Sequence, residues 1–155
     1  MRKADPADPM GPADPVDLIA RARDAAGFSY SPYSLFPVGA ALLCEDGTVT
    51  TGANIENRSY GLTLCAERSA LAAAVSRGRK KFRAIAVFCA ASDRPVPPCG
   101  ACRQVLSEFC SPGMPVYYAG KDGDYIASTI GELLPADSLH DLKRAISASR
   151  RRPPS

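Results

Sequence analysis

The sequence predicts an α/β fold, a three-layer α/β/α sandwich around a central mixed sheet. Three observations carry that expectation. Segments with strand character alternate along the chain with segments of helical period. Two of the strand segments, 38–44 and 48–55, are separated only by Glu45-Asp46-Gly47 and read as a hairpin of small and β-branched residues, which makes the sheet mixed. Residues 82–90 form an apolar run with the length of a buried strand. A chain of 155 residues is long enough for one domain with a sizeable core and too short for two comfortable ones.

The elements follow in order. Residues 1–15 (MRKADPADPMGPADP) hold four prolines that break any helical pattern, and they read as a disordered tail. A helix starts near Asp17, where an acidic residue precedes the apolar-periodic LIARARDAAG, and Gly27 ends it. SYSPYSLFP is a turn-rich loop carrying Tyr30, Tyr33 and Phe36, and it leads into the hairpin. Residues 65–77, rich in Ala, Leu and Glu with Gly78 beyond, form a second helix. After the strand at 82–90, Pro97-Pro98 opens a helix over 99–109, closed by Ser111-Pro112-Gly113. Short strands at 114–119 and 124–127 flank Lys121-Asp122-Gly123, and a last helix covers 139–148. One domain, 16–148, therefore stands between the N-terminal tail and a basic tail at 149–155.

Composition excludes several function classes. No apolar run approaches the roughly 18 residues of a membrane helix. Met1-Arg2-Lys3 is followed by Asp-Pro repeats and no apolar segment, so a secretory signal is not expected and the reading is a cytoplasmic protein. The net charge of +3 is unevenly spread: Arg150, Arg151 and Arg152 sit in the C-terminal tail, while Asp5, Asp8, Asp14 and Asp17 outweigh Arg2 and Lys3. The remaining cluster, RGRKKFR at 77–83, reads as a solvated helix end and loop, and no nucleic-acid partner is expected. Six cysteines, at 44, 65, 89, 99, 102 and 110, are more informative. In a reducing compartment, closely spaced cysteines signal metal or redox chemistry in place of disulfides.

Cys65-Ala66-Glu67 and Pro98-Cys99-Gly100-Ala101-Cys102 each fall at a predicted helix N-terminus. Free N–H groups and the positive dipole end there stabilise thiolates, the form a metal requires. Cys99 and Cys102 share one helical turn, and Cys65 completes a three-thiolate set if the two helix starts lie side by side. Soft sulfur ligands point to zinc, and three protein ligands with an open position is the catalytic arrangement. Water in that position would titrate near neutrality, and Glu67, two residues after a ligand, could carry its proton. The alternative is a structural zinc with Cys44, Cys89, Cys110 or His140 as fourth ligand. Cys44, Cys89 and Cys110 fit better as buried small apolar residues, and an isolated histidine is weak support for a ligand.

The neighbouring residues decide between these. The signature of zinc nucleobase deaminases is H-x-E…P-C-x-x-C, with a three-cysteine variant. This chain reads C-A-E, thirty residues, then P-C-G-A-C. Together with SPYSLFPVGAALLCEDGTVTTGANIENRSYG and CRQVLSEFC, it closely resembles the cytidine deaminases of the small, homotetrameric, three-cysteine type, from about Leu18 to Leu142. That resemblance implies one zinc per subunit on Cys65, Cys99 and Cys102, and deamination of cytidine and deoxycytidine in pyrimidine salvage. Glu67 would protonate N3 and then the departing amine. The Ala66 N–H would hold the ring's O2, Asn54 and Glu56 the ribose 3′-hydroxyl, and Phe36 would stack on the pyrimidine.

Arg68 follows Cys-Ala-Glu as in that family. Three thiolates around Zn²⁺ leave a net negative centre, and a guanidinium on a ligand sulfur withdraws charge and restores Lewis acidity. Gln104 is a similar candidate for a contact behind the ligands. One departure concerns the segment Glu132–Leu142. In the family it carries a phenylalanine that stacks on the base in the neighbouring subunit's site; here it has no aromatic, and Leu139 is the residue available to fill the space. A relative acting on a modified cytosine nucleoside, such as blasticidin S, is the nearest rival. A catalytically silent structural-zinc domain is the remote one, and it has no use for Glu67. Arg68→Gln is expected to lower kcat more than zinc content, and unchanged turnover would contradict the charge-withdrawing role.

Overall fold

The computed structural model describes residues 13–139 and 142. The first helix, α1, spans Pro15–Ala26 and begins two residues before the expected start. The Asp14 carboxylate accepts a hydrogen bond from the Val16 N–H at 2.9 Å, and Pro15 occupies the first turn, where a missing N–H costs nothing. The Asp-Pro pair that reads as tail is thus the start of the helix. Residues 1–12, 140, 141 and 143–155, and with them most of the predicted helix at 139–148 including His140, lie outside the described residues.

The hairpin strands β1 (Val38–Cys44) and β2 (Val49–Ala53) follow, then a 3-10 turn at Tyr60–Leu62 and α2 (Ala66–Ser76). Beyond them come β3 (Phe82–Cys89), α3 (Gly100–Ser107), β4 (Pro115–Ala119), β5 (Tyr125–Thr129) and α4 (Ile130–Leu133). The sheet order is β2-β1-β3-β4-β5. Only β3 and β4 are parallel, and α3 forms the crossover between them. The mixed sheet is therefore as expected. The sequence reading missed α4 because four residues cannot display a helical period. Its signal is a capping box, in which the Thr129 side chain accepts from the Glu132 N–H and the Glu132 carboxylate accepts from the Thr129 N–H.

Alternation within the strands builds two cores. Ala41, Leu43, Ala84, Ala86 and Phe88 face α1 and pack on Leu18, Ile19, Ala22 and Ala26. The residues between them, Ala40, Leu42, Ile85 and Val87, face the opposite layer with Ala66, Ala70, Leu71 and Ala74 of α2 and Leu106 of α3. Because both faces of β3 are covered, its sequence reads as an unbroken apolar run. Leu42, Ile85, Leu106 and Val116 are fully buried, each contributing about 1.5–3 kcal/mol relative to exposure. Cys44 and Cys110 are packing residues within the α2 and α3 side of the core. In the basic segment, Arg79 pairs with Asp46 at 3.0 Å and Lys81 with Glu45 at 3.3 Å, pinning the hairpin turn.

Two glycines set how closely the helices lie on the hairpin. A Cβ at Gly39 would stand 2.0 Å from the Ala22 carbonyl oxygen of α1, and one at Gly52 would stand 2.3 Å from the Ala70 nitrogen of α2. No side chain fits at either point without moving a helix backbone. Gly39→Ala and Gly52→Ala are each expected to destabilise the fold by about 1–3 kcal/mol in urea unfolding. Wild-type midpoints in both variants would contradict this packing.

Candidate metal centre and catalytic cavity

The second core brings the starts of α2 and α3 together. Cys65 is the N-cap of α2 and Cys99 the N-cap of α3, with Cys102 in the first turn of α3. Their three sulfurs lie within 4.8 Å of one another, and those of Cys65 and Cys99 are 3.8 Å apart. A tetrahedral zinc with Zn–S bonds of about 2.3 Å separates its sulfurs by about 3.8 Å, so the set fits that ion. The Cys102 N–H also donates to the Cys99 sulfur at 3.4 Å. Among the described residues, these three form the single group of potential ligands of this kind.

Electrostatics at the centre favour a thiolate. The Cys65 thiol is drawn well below its ordinary range by a hydrogen bond from Cys102, with further help from Arg68 and Cys99. Cys102, the partner in that hydrogen bond, is pushed up by it and by burial. Arg68 sits three residues beyond Cys65, so one helical turn returns it over the ligand. Its Nη2 donates to the Cys65 sulfur at 3.5 Å and to the Thr63 carbonyl at 3.0 Å. Its buried Nε has no hydrogen-bond partner among the described residues. Glu67 is only 4% exposed. Burial raises its carboxyl above the usual carboxylate range, and the charge of Cys65 adds to the effect.

A cavity of about 350 Å³ opens over the thiols. Cys65, Ala66, Glu67 and Cys99 line it, together with Val87 and Cys89 at the C-terminal end of β3 and Val96 and Pro97 from the segment that follows. Phe36, Asn54 and Glu56 line the remainder, with Ser34, Val38 and Thr63. Asn54 is 8% exposed and ties down the loop before β1. Its Oδ1 accepts from Ser29 Oγ at 2.5 Å and from the Val38 N–H at 2.9 Å, while its Nδ2 donates to the Phe36 carbonyl at 2.9 Å. Glu56 Oε2 accepts from the N–H groups of Tyr33 and Ser34 at 2.9 and 3.2 Å, and its Oε1 accepts from the Ser34 hydroxyl. Both carbonyl lone pairs of Asn54 and three of the four carboxylate sites of Glu56 are thus engaged. One donor on Nδ2 and one acceptor site on Oε1 remain.

Eight of the residues singled out in the sequence therefore meet around one cavity or directly beneath it: Phe36, Asn54, Glu56, Cys65, Ala66, Glu67, Cys99 and Cys102. Arg68 joins them through the Cys65 sulfur. Gln104 does not. Its amide donates to Ser107 Oγ at 3.2 Å and to Asp137 Oδ1 at 3.5 Å, away from the sulfurs. Two residues past Cys102, it lies about 200° round the helix from that ligand. Leu139 is 54% exposed, and its N–H donates to Asp137 Oδ1 at 3.0 Å. Sequence reasoning missed Ser34 and Arg103. Arg103 donates to the Pro98 carbonyl at 2.7 Å and to the Leu133 carbonyl at 3.0 Å, fixing the turn that presents Cys99. The only sequence signal for either is position, within two residues of a site residue. Cys89 is buried as expected, and it also lines the cavity.

Comparison with known proteins agrees with this geometry. A family model described as the cytidine and deoxycytidylate deaminase zinc-binding region matches residues 14–118. A cytidine deaminase of Sporosarcina psychrophila is 53% identical over 133 residues, covering 85% of this chain and 97% of its own length. One from Halalkalibacterium halodurans is 57% identical over 128 residues, covering 80% and 96%. The crystal structure of cytidine deaminase from Burkholderia pseudomallei superposes with a TM-score of 0.77 at 44% identity, covering 80% of this chain and 98% of that one. With the matched region spanning both cysteine motifs, this chain belongs to the cytidine and deoxycytidylate deaminase family.

Proposed function

We propose that this protein hydrolyses cytidine and deoxycytidine to uridine and deoxyuridine, releasing ammonia, with one zinc ion per subunit held by Cys65, Cys99 and Cys102. The observation that carries the reading is Glu67, a buried carboxyl in the cavity beside three converging thiols. A structural zinc site has no use for a carboxyl kept dry and raised in pKa. The relatives and the solved structure bearing the name cytidine deaminase support the same substrate class.

When bound, zinc supplies the Lewis acidity that activates water for attack at C4. The rest of the chemistry belongs to the chain. Glu67 takes up the proton that water releases and delivers it to N3, then takes the proton of the new C4 hydroxyl and delivers it to the amine, which leaves as ammonia as the C4 carbonyl forms. Its raised pKa suits a group that must both accept and return a proton. The Ala66 N–H, in the first turn of α2, donates to O2 and holds the ring against the thiols. Arg68 draws charge from the Cys65 sulfur. Phe36 stacks on the pyrimidine. The donor left on Asn54 and the acceptor left on Glu56 complement one hydroxyl, which suits a ribose 3′-hydroxyl and favours an ordinary nucleoside over blasticidin S.

The reading extends to a homotetramer acting in pyrimidine salvage in the cytoplasm, without a nucleic-acid or membrane partner. Exposed Phe28, Tyr30, Tyr33, Leu35, Tyr60 and Leu62, with the Tyr33 and Tyr60 ring centres 5.9 Å apart, support a subunit interface. No helix among the described residues is long and apolar enough to cross a membrane.

The test is an absorbance assay of zinc-loaded protein on cytidine, deoxycytidine and blasticidin S, with Glu67→Gln alongside. The wild type should turn over both ordinary nucleosides. The variant should keep its zinc and lose about 10²–10⁴-fold in kcat, the range of general acid–base catalysis. Silence on both nucleosides from a zinc-loaded wild type would overturn the proposal, and turnover of blasticidin S alone would identify the rival.

A further inference from the structure

The loop between α1 and β1 is held in a conformation that its own sequence does not favour. Leu35 has φ of 54°, in the left-handed region that side chains other than glycine rarely adopt, and its side chain is 76% exposed. Burial of Leu35 therefore does not hold it there. The hydrogen bonds on either side do. The turn is closed by the Leu35 N–H donating to the Ser31 carbonyl at 3.0 Å. Inside it, Glu56 collects the N–H groups of Tyr33 and Ser34, as described above.

Ser34 joins the two halves of this arrangement. Its hydroxyl donates to Glu56 Oε1 and accepts from the Phe36 N–H at 3.1 Å. Glu56 Oε1 is the oxygen with a free acceptor site, and Phe36 is the aromatic on the cavity wall. One hydroxyl thus links the carboxylate oxygen available to a sugar with the backbone that aims the ring available to a base. Ser34 also lines the cavity. The same hydroxyl is the largest cause of the lowered pKa of Glu56, consistent with a carboxylate kept charged and oriented.

Resting on the deaminase reading above, we propose that Ser34 is a positioning residue for nucleoside selection. By holding Glu56 Oε1 and the Phe36 backbone in one register, it makes recognition of the sugar hydroxyl and stacking on the base cooperative. A nucleoside lacking the 3′-hydroxyl leaves the acceptor of Glu56 unfilled and gains nothing from that register. The Ser34 hydroxyl therefore contributes to discrimination at the sugar, although the sugar's own partners are Glu56 and Asn54.

The experiment compares deoxycytidine with 2′,3′-dideoxycytidine in zinc-loaded wild type, Ser34→Ala, Ser34→Gly and Ser34→Thr, with zinc content and thermal midpoint measured for each. Ser34 lies on an exposed turn, so threonine has room for its methyl group while keeping the hydroxyl. Loss of the hydroxyl should raise KM for deoxycytidine roughly tenfold with kcat within about twofold, the scale of one hydrogen bond to a charged group. KM for the dideoxynucleoside should change much less, so the preference between the two substrates contracts. Threonine should restore that preference. The glycine variant deletes the same hydroxyl, so the comparison survives if the alanine protein fails to fold. An equal loss on both substrates, an unchanged preference, or a threonine variant that behaves like alanine would overturn the role of Ser34. A zinc-loaded wild type inactive on both nucleosides would instead overturn the deaminase reading and this proposal with it.

Discussion

The structure depends on the meeting of two helix N-termini. Cys65 and Cys99 cap α2 and α3, so the free N–H groups and positive dipole ends of both helices point at one small volume that also receives Cys102. Three sulfurs at that spacing repel one another once ionised, and the arrangement needs positive charge. Arg68 supplies part of it from one turn along α2. A divalent cation on the three sulfurs would supply the rest. The surrounding contacts fix the helix starts in place: Gly52 lets α2 settle onto β2, and Arg103 ties the turn before Cys99 to the end of α4.

The cavity follows from where that meeting point lies on the sheet. The strand β3 ends beneath it, and the chain leaving β3 contributes Val96 and Pro97 before reaching Cys99. Facing them, the segment after β2 extends as Asn54, Ile55 and Glu56, bridged to Tyr30 on one side and Leu64 on the other. Two polar side chains from this extension hold the backbone of residues 33–38, and Phe36 is presented between them. Metal end and opposite wall thus come from separate pieces of chain, each stabilised by backbone hydrogen bonds from buried or clamped polar groups.

Much of this was legible in the sequence because short-range chemistry dictates it. The alternating elements, the hairpin and the doubly covered β3 follow from residue patterns. The two cysteine motifs at helix starts predict their own convergence once zinc is considered. Other features depend on contacts that spacing does not reveal. The Asp14-Pro15 pair reads as a helix breaker yet starts α1, because the same properties that disrupt a helix interior suit its first turn. Gln104 sits beside an expected contact in sequence, but helix geometry turns it to Asp137. Ser34 was unremarkable in a turn-rich loop. Its importance arises from Glu56, 22 residues away, folding back beneath it.

A metal held by three thiolates, with one position left open to the nucleoside, would carry a distinctive visible spectrum once zinc is exchanged for cobalt. Replacing zinc by Co²⁺ and recording the visible spectrum with and without deoxycytidine tests this most directly. The expected result is thiolate-to-metal charge-transfer bands, weakened when any of Cys65, Cys99 or Cys102 is replaced by serine, and tetrahedral ligand-field bands that shift when the nucleoside is added. A four-sulfur spectrum indifferent to the nucleoside would mean a closed structural site and would contradict it.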